Sequence, residues 1–110
     1  MLLEKLQNTP ETIDFKEVIA YIDENYDFTP TAFKNGETHN EANQNNGSCK
    51  VFSFAKLNKL TKESTLALFG DFYRTDVLKN SDGDDHQNIR NFITFGWDGI
   101  QFEGEALHLK

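Results

Sequence analysis

The residue best suited to covalent chemistry is Cys49. It follows Asn46-Gly47-Ser48, which puts it in the first turn of an expected helix, where the macrodipole favours a thiolate and Lys50 adds positive charge. With His39 or His86 as base, this would be the core of a small thiol-dependent hydrolase or transferase. No cysteine-enzyme signature surrounds the residue, however, and a half-buried cysteine filling a gap beside Phe52 accounts for it more simply.

A second pair is His86 and Arg90, four apart and therefore on one face of an expected helix. Together with helix N-terminal N–H groups they could grip a carboxylate or phosphate, making a small anionic-ligand binder. Asp82, Asp84 and Asp85 oppose an anion there, and a structural network with Asn88 and Asn91 on the outer side is the stronger reading. The string DGDD at 82–85 has the look of a calcium loop but fails on spacing, because such a loop would need Gly at 87 and Glu at 93 where the chain has Gln87 and Ile93. His39, His86 and His108 are scattered with no i, i+4 pair, so neither a metal nor a cofactor is expected. Trp97, beside Asp98-Gly99, reads as core, with a partner-anchoring surface aromatic as the alternative.

The elements that would position these residues follow from periodicity. Phe15, Val18, Ile19, Ile22 and Tyr26 share one helical face, and Asp14 with Glu17 forms a capping-box pattern, predicting a helix over 14–25. Ahead of it Leu2, Leu3 and Leu6 make a short amphipathic turn or two, ending towards Pro10. Crowded apolar positions from Val51 to Leu57 predict a buried helix over 49–60. Further helices are expected over 62–79, capped by Thr61 with Gly70 as a weak point, and over 84–95, capped by Asp84 and Gln87 and stopped at Gly96. Pro30 confines the 28–34 segment to an edge strand. In the tail, a two-residue turn at Gly104-Glu105 would pair Phe102 with Leu107 and Ile100 with Leu109. The expected fold is α+β: mainly helical, with a small antiparallel sheet formed by 28–34 and a C-terminal hairpin. Phe15, Ile19, Ile22, Phe52, Phe69, Ile89, Phe92 and Phe102 are its expected core.

Between Asn35 and Ser48 lies a polar stretch with Asn-Gly pairs at both ends, read as a long mobile loop. Asn40, Asn43, Asn45 and Asn46, with Trp97, are the expected partner contacts.

Composition sets the outer bounds. The chain of 110 residues suits one domain, 1–110, and its 13% aromatic content supplies a core despite a mean hydropathy of −0.62. The single cysteine excludes an internal disulfide. A net charge of −7 and pI near 4.8 repel phosphate backbones and anionic lipid, so neither nucleic acid nor membrane is an expected partner. The start lacks the pattern of a secretory leader, which makes the cytoplasm the expected location, and a monomer is the default.

Three long blocks, TPETIDFKEVIAYIDENYDFTPTAFKNG, NNGSCKVFSFAKL, and DHQNIRNF leading into GWDGIQFEGEAL, resemble the HopJ type III effector family over nearly the whole chain. The resemblance implies an effector-like protein open to type III export, but no catalytic residue or cofactor to carry over. The N-terminus, with Leu2 and Leu3 in a helical pattern, differs from the disordered polar start of a type III signal. The combined expectation is a non-enzymatic protein-interaction domain with an unknown protein partner.

Overall fold

The computed structural model describes residues 2–80, 82–83 and 85–110. After a short first helix, α1 (Leu2–Asn8), the chain turns at Pro10–Thr12 and enters α2 (Phe15–Asn25) through the expected capping box. Glu17 Oε1 accepts a hydrogen bond from Asp14 N at 2.9 Å, and Asp14 Oδ1 accepts from Lys16 N at 3.3 Å. Ile13, just before the cap, is fully buried with Val18 and Ile22, so the helix is both started and oriented by its first turn.

α3 (Asn46–Leu57) is the central helix, burying Cys49, Val51, Phe52, Ser53, Phe54 and Ala55. Phe52 is the hub of the core: its ring centroid lies 4.9 Å from that of Phe92, 5.3 Å from Phe69, 6.1 Å from Phe33 and 6.5 Å from Trp97. Each such pair adds roughly 0.5–1.5 kcal/mol beyond area burial. Of the expected core, Ile22, Phe52, Phe69, Ile89 and Phe92 are buried, while Phe15, Ile19 and Phe102 pack half-buried against it.

The helix expected over 62–79 breaks in two. α4 (Lys62–Ala67) is capped by Thr61 Oγ1, which accepts from Ser64 N at 3.1 Å, and the chain then reverses at Gly70. Gly70 has φ +61°, and a Cβ there would lie 2.9 Å from Phe15 N and 3.1 Å from Ile13 O. Only glycine fits both the dihedral and the approach. Beyond it Phe72–Val77 winds as a single π turn, with Leu78 N donating to Tyr73 O at 3.0 Å. Arg74 pins that turn to the α1–α2 connection, donating to Ile13 O at 2.7 Å and to Pro10 O at 3.3 Å.

α5 (Gln87–Phe95) begins three residues later than expected, with His86 as its N-cap at φ +50°; Asp84, the expected cap, lies outside the described residues. Gly96 ends it at φ +62° as expected, and the 3₁₀ turn Gly96–Gly99 follows.

The strands are β1 (Tyr26–Phe28), β2 (Phe33–Asn35), β3 (Thr38–Asn40), β4 (Ile100–Phe102) and β5 (Leu107–Leu109), in two antiparallel sheets ordered β1-β5 and β3-β2-β4. The domain is α+β, as expected, but the tail does not pair with itself. β4 takes β2 as neighbour and β5 takes β1, in a common register: the two residue numbers of every pair, from Tyr26↔Leu109 to Asn35↔Ile100, add to the same value. Thr29 N to Ala106 O (2.8 Å) and Glu103 N to Ala32 O (3.0 Å) carry that register across the gap around Pro30. Six non-local pairings take the place of the one local turn, and Gly104, absent from the positive-φ residues, does not adopt the type II′ conformation. Among the described residues no helix is long and apolar enough to cross a membrane.

Candidate functional site

The stretch expected to be a mobile loop is largely structured. Gly36-Glu37 makes a tight hairpin turn between β2 and β3, with Gly36 at φ +62° supplying the left-handed residue that such turns need. The hairpin lies against α5 through its amides. Asn35 Nδ2 donates to Asn88 O at 2.8 Å and Asn88 Oδ1 at 3.0 Å, and Asn91 Nδ2 donates to Asn35 O at 3.0 Å and Thr38 Oγ1 at 2.8 Å. Asn40 and Asn88 exchange hydrogen bonds at 3.1 Å in both directions, and Asn45 Nδ2 donates to Asn40 Oδ1 at 2.7 Å. Asn35, Asn40, Asn88 and Asn91 are all buried. Asn88 and Asn91 were expected on the outer side of α5; they are on its inner side because the hairpin amides satisfy them there. Asn40, an expected partner contact, is likewise withdrawn from the surface, whereas Asn43 and Asn45 are exposed and Asn46 is half-buried.

Thr38, Asn40, Asn45 and Asn88 of this network line the floor of a cleft of about 370 Å³. α3 and α5 both present their N-termini to it, each led by a left-handed residue, Asn45 and His86, with no side-chain cap. Phe15, Phe69 and Phe72 form the apolar wall, Phe72 being 40% exposed. The rings of Phe72 and His86 lie 5.1 Å apart and inclined by 33°, and His86 Nε2 is 3.1 Å from Asp76 Oδ2. The π turn thus delivers Phe72 and Asp76 to the same imidazole.

Arg90 does not join His86 at this cleft. Its Nε donates to Asp85 O at 2.6 Å, Nη1 to Asn80 O at 3.0 Å and Nη2 to Asp85 Oδ1 at 2.6 Å. The guanidinium therefore ties Asn80 and Asp85 to α5, and its hydrogen bond holds the Asp85 carboxyl below its ordinary pKa. His86 is the N-cap, outside the helix, so the two side chains do not stack on one helical face as the i, i+4 spacing implied.

Cys49 is 1% exposed and its thiol donates to Thr31 O at 3.5 Å. Burial pushes its pKa up, opposite to the shift a catalytic thiolate needs. Its own N–H already donates within the helix, to Asn45 O at 3.0 Å, so the macrodipole does not act on the sulfur through a free amide. His39 sits beside Glu41 at 3.2 Å and His86 beside Asp76, so neither imidazole is hydrogen-bonded to the thiol among the described residues. Trp97 packs on Phe52 and Phe92 and donates Nε1 to Leu60 O at 3.1 Å, closing the core as expected.

Ser48 and Gln87 line the cleft and were not singled out from sequence. Position beside Asn-Gly in one case and beside His86 in the other was the signal available. Ser48 and His86 share the cleft without a hydrogen bond between them, so no hydroxyl–imidazole pair is assembled among the described residues. Among those residues, too, no three His, Cys, Asp or Glu side chains gather where they could hold a metal ion.

A family model described as HopJ type III effector protein matches residues 1–107. The chain is also similar to a solved crystal structure of a protein of unknown function, VPA0580: 59% identical, covering 99% of this chain and 91% of that one, with a TM-score of 0.98. A search of curated proteins finds no match.

Proposed function

The chain belongs to the HopJ type III effector protein family, and we propose that it is a binding protein whose amide-floored cleft takes a small, neutral, planar ligand bearing a carboxamide or similar edge. The observation that carries this reading is the pair of cleft amides at Asn45 and Gln87, whose side-chain carbonyl oxygens have no partner among the described residues, above the closed Asn40–Asn88 pair. Burying four asparagine side chains costs desolvation that hydrogen bonding only offsets, and two of them, Asn40 and Asn88, border an opening. Asn45 and Gln87 each keep an acceptor and a spare N–H, the complement of another amide. The rings of Phe15 and Phe72 supply a face for a flat body.

Charge supports a neutral ligand. The two helix N-termini are positive and oppose a cation, while the Asp76 carboxylate beside His86 opposes an anion. Isothermal calorimetry with benzamide, benzoate and benzylamine tests this. Benzamide should bind best, and Phe72→Ala, a change at a partly exposed ring, should weaken it about tenfold. Equal affinity for all three compounds, or no effect of Phe72→Ala, would remove the reading.

A further inference from the structure

Lysines that make no ion pair in the described structure gather where α3 ends. Lys5, Lys50, Arg74 and Arg90 each have a carboxylate partner, whereas seven lysines have none among the described residues, and three of the seven, Lys56, Lys59 and Lys62, lie within seven residues of one another. Lysines at a helix C-terminus complement the macrodipole and need no further explanation on that ground alone.

The surface between them does need one. Two hollows flank Lys56: a larger one of about 720 Å³, which includes Leu57, Phe102 and the 104–109 stretch, and a smaller one of about 300 Å³ formed with Lys59, Leu60, Trp97 and Ile100. Leu57 is 56% exposed and Leu109 74%. Lys56 Nζ lies 5.5 Å above the Phe102 ring, so its stem covers apolar surface while its charge stays at the rim. In a chain of net charge −7, an apolar groove rimmed by lysines without carboxylate partners is the local exception.

We infer that this groove docks an acidic partner segment in extended conformation, one apolar side chain seated beside Leu57 and its carboxylates set against Lys56 and Lys59. The geometry of the backbone agrees. β5 has a single neighbour, β1, and so offers its other edge to an added strand along the residues that line the groove. The three residues of β5, Leu107–Leu109, give such a segment about 10 Å of edge at roughly 3.3 Å per residue. Glu105, on the same lining and 3.9 Å from His108, places the acidic end of the segment towards Lys56 and Lys59, away from itself. This surface is separate from the amide-floored cleft, and the two share no lining residue.

The test uses the full chain and a fluorescein-labelled octapeptide of alternating Leu and Glu, with a Leu–Lys octapeptide as control. Fluorescence anisotropy should show binding of the acidic peptide only, weakened about tenfold by Lys56→Glu with Lys59→Glu and by Leu57→Ser. All three positions are solvent-exposed, so circular dichroism should find the variants folded. Backbone NMR shifts on binding should fall at 53–60 and 104–109. Equal binding of the two peptides, no binding of either, or shifts centred on Asn40 and Asn88 would overturn the inference. So would a concentration-dependent dimer abolished by the double lysine change, which would give the groove to a second copy of the chain.

Discussion

Asn40 and Asn88, 48 residues apart, face each other as a closed amide pair, each side chain donating to the other at 3.1 Å. Removing one half leaves the other buried with part of its hydrogen bonding unmet. Asn88→Ala would take one acceptor from each of the Asn35 and Asn40 amides and one donor from Asn40 Oδ1, at about 1–3 kcal/mol in all, whereas Asn45→Ala at the exposed rim should cost under about 1 kcal/mol. Urea unfolding of the two variants gives the comparison, and equal midpoints would contradict it.

Gly70 carries two constraints at once, a left-handed φ and a close approach to the α2 backbone. Gly70→Ala should therefore cost more than the roughly 1–2 kcal/mol of the dihedral alone. Gly104→Ala has no positive φ and meets only Thr31 Cγ2 at 3.8 Å. Its unfolding midpoint should stay close to that of the parent chain, and a Gly104 variant as damaged as the Gly70 variant would refute the contrast.

Much of the helical fold was legible because its determinants are local. Asp14 and Glu17 cap α2 within four residues, and the apolar positions of α3 are one contiguous run. What sequence could not display is pairing at a distance. The 26–35 and 100–109 segments meet in one register, and nothing in either string names the other. The same holds for the candidate site: Asn35 and Asn40 sit in a stretch whose composition says solvent, yet Asn88 of α5 accepts from the Nδ2 of both, Asn35 Oδ1 alone of their side-chain atoms keeping no partner among the described residues. His86 and Arg90 were visible as a pair by spacing, but His86 caps the helix in a left-handed conformation and Arg90 turns to Asp85 and Asn80 instead.

Cys49 should label slowly in the native protein and quickly once unfolded. Its raised pKa also has a consequence for stability, because the folded chain holds the thiol proton more tightly than the unfolded one. The sign is that stability is unaffected well below the ordinary thiol value of 9.0 and declines as pH rises from there towards the higher folded value. Cys49→Ala should remove that alkaline decline. Its persistence in the variant would assign it to another group.

Glu17 behaves oppositely. The hydrogen bond from Lys5 Nζ at 2.8 Å, then that from Asp14 N, lowers its pKa below 4.5. Its contribution is present above the ordinary carboxylate range and is lost as pH falls through the lowered value. Lys5→Met should move the Glu17 titration upward in a carboxyl-detected NMR series, and an unmoved titration would deny the ion pair in solution.

The central claim is that the asparagine-floored cleft binds, and side-chain amide NMR reads it most directly. On titration with benzamide, the NH₂ signals of Asn45, Gln87 and Asn88 and the ring protons of Phe72 should shift together along one saturable curve. Unmoved amide signals at the solubility limit of benzamide, or shifts confined to 53–60 and 104–109, would contradict it.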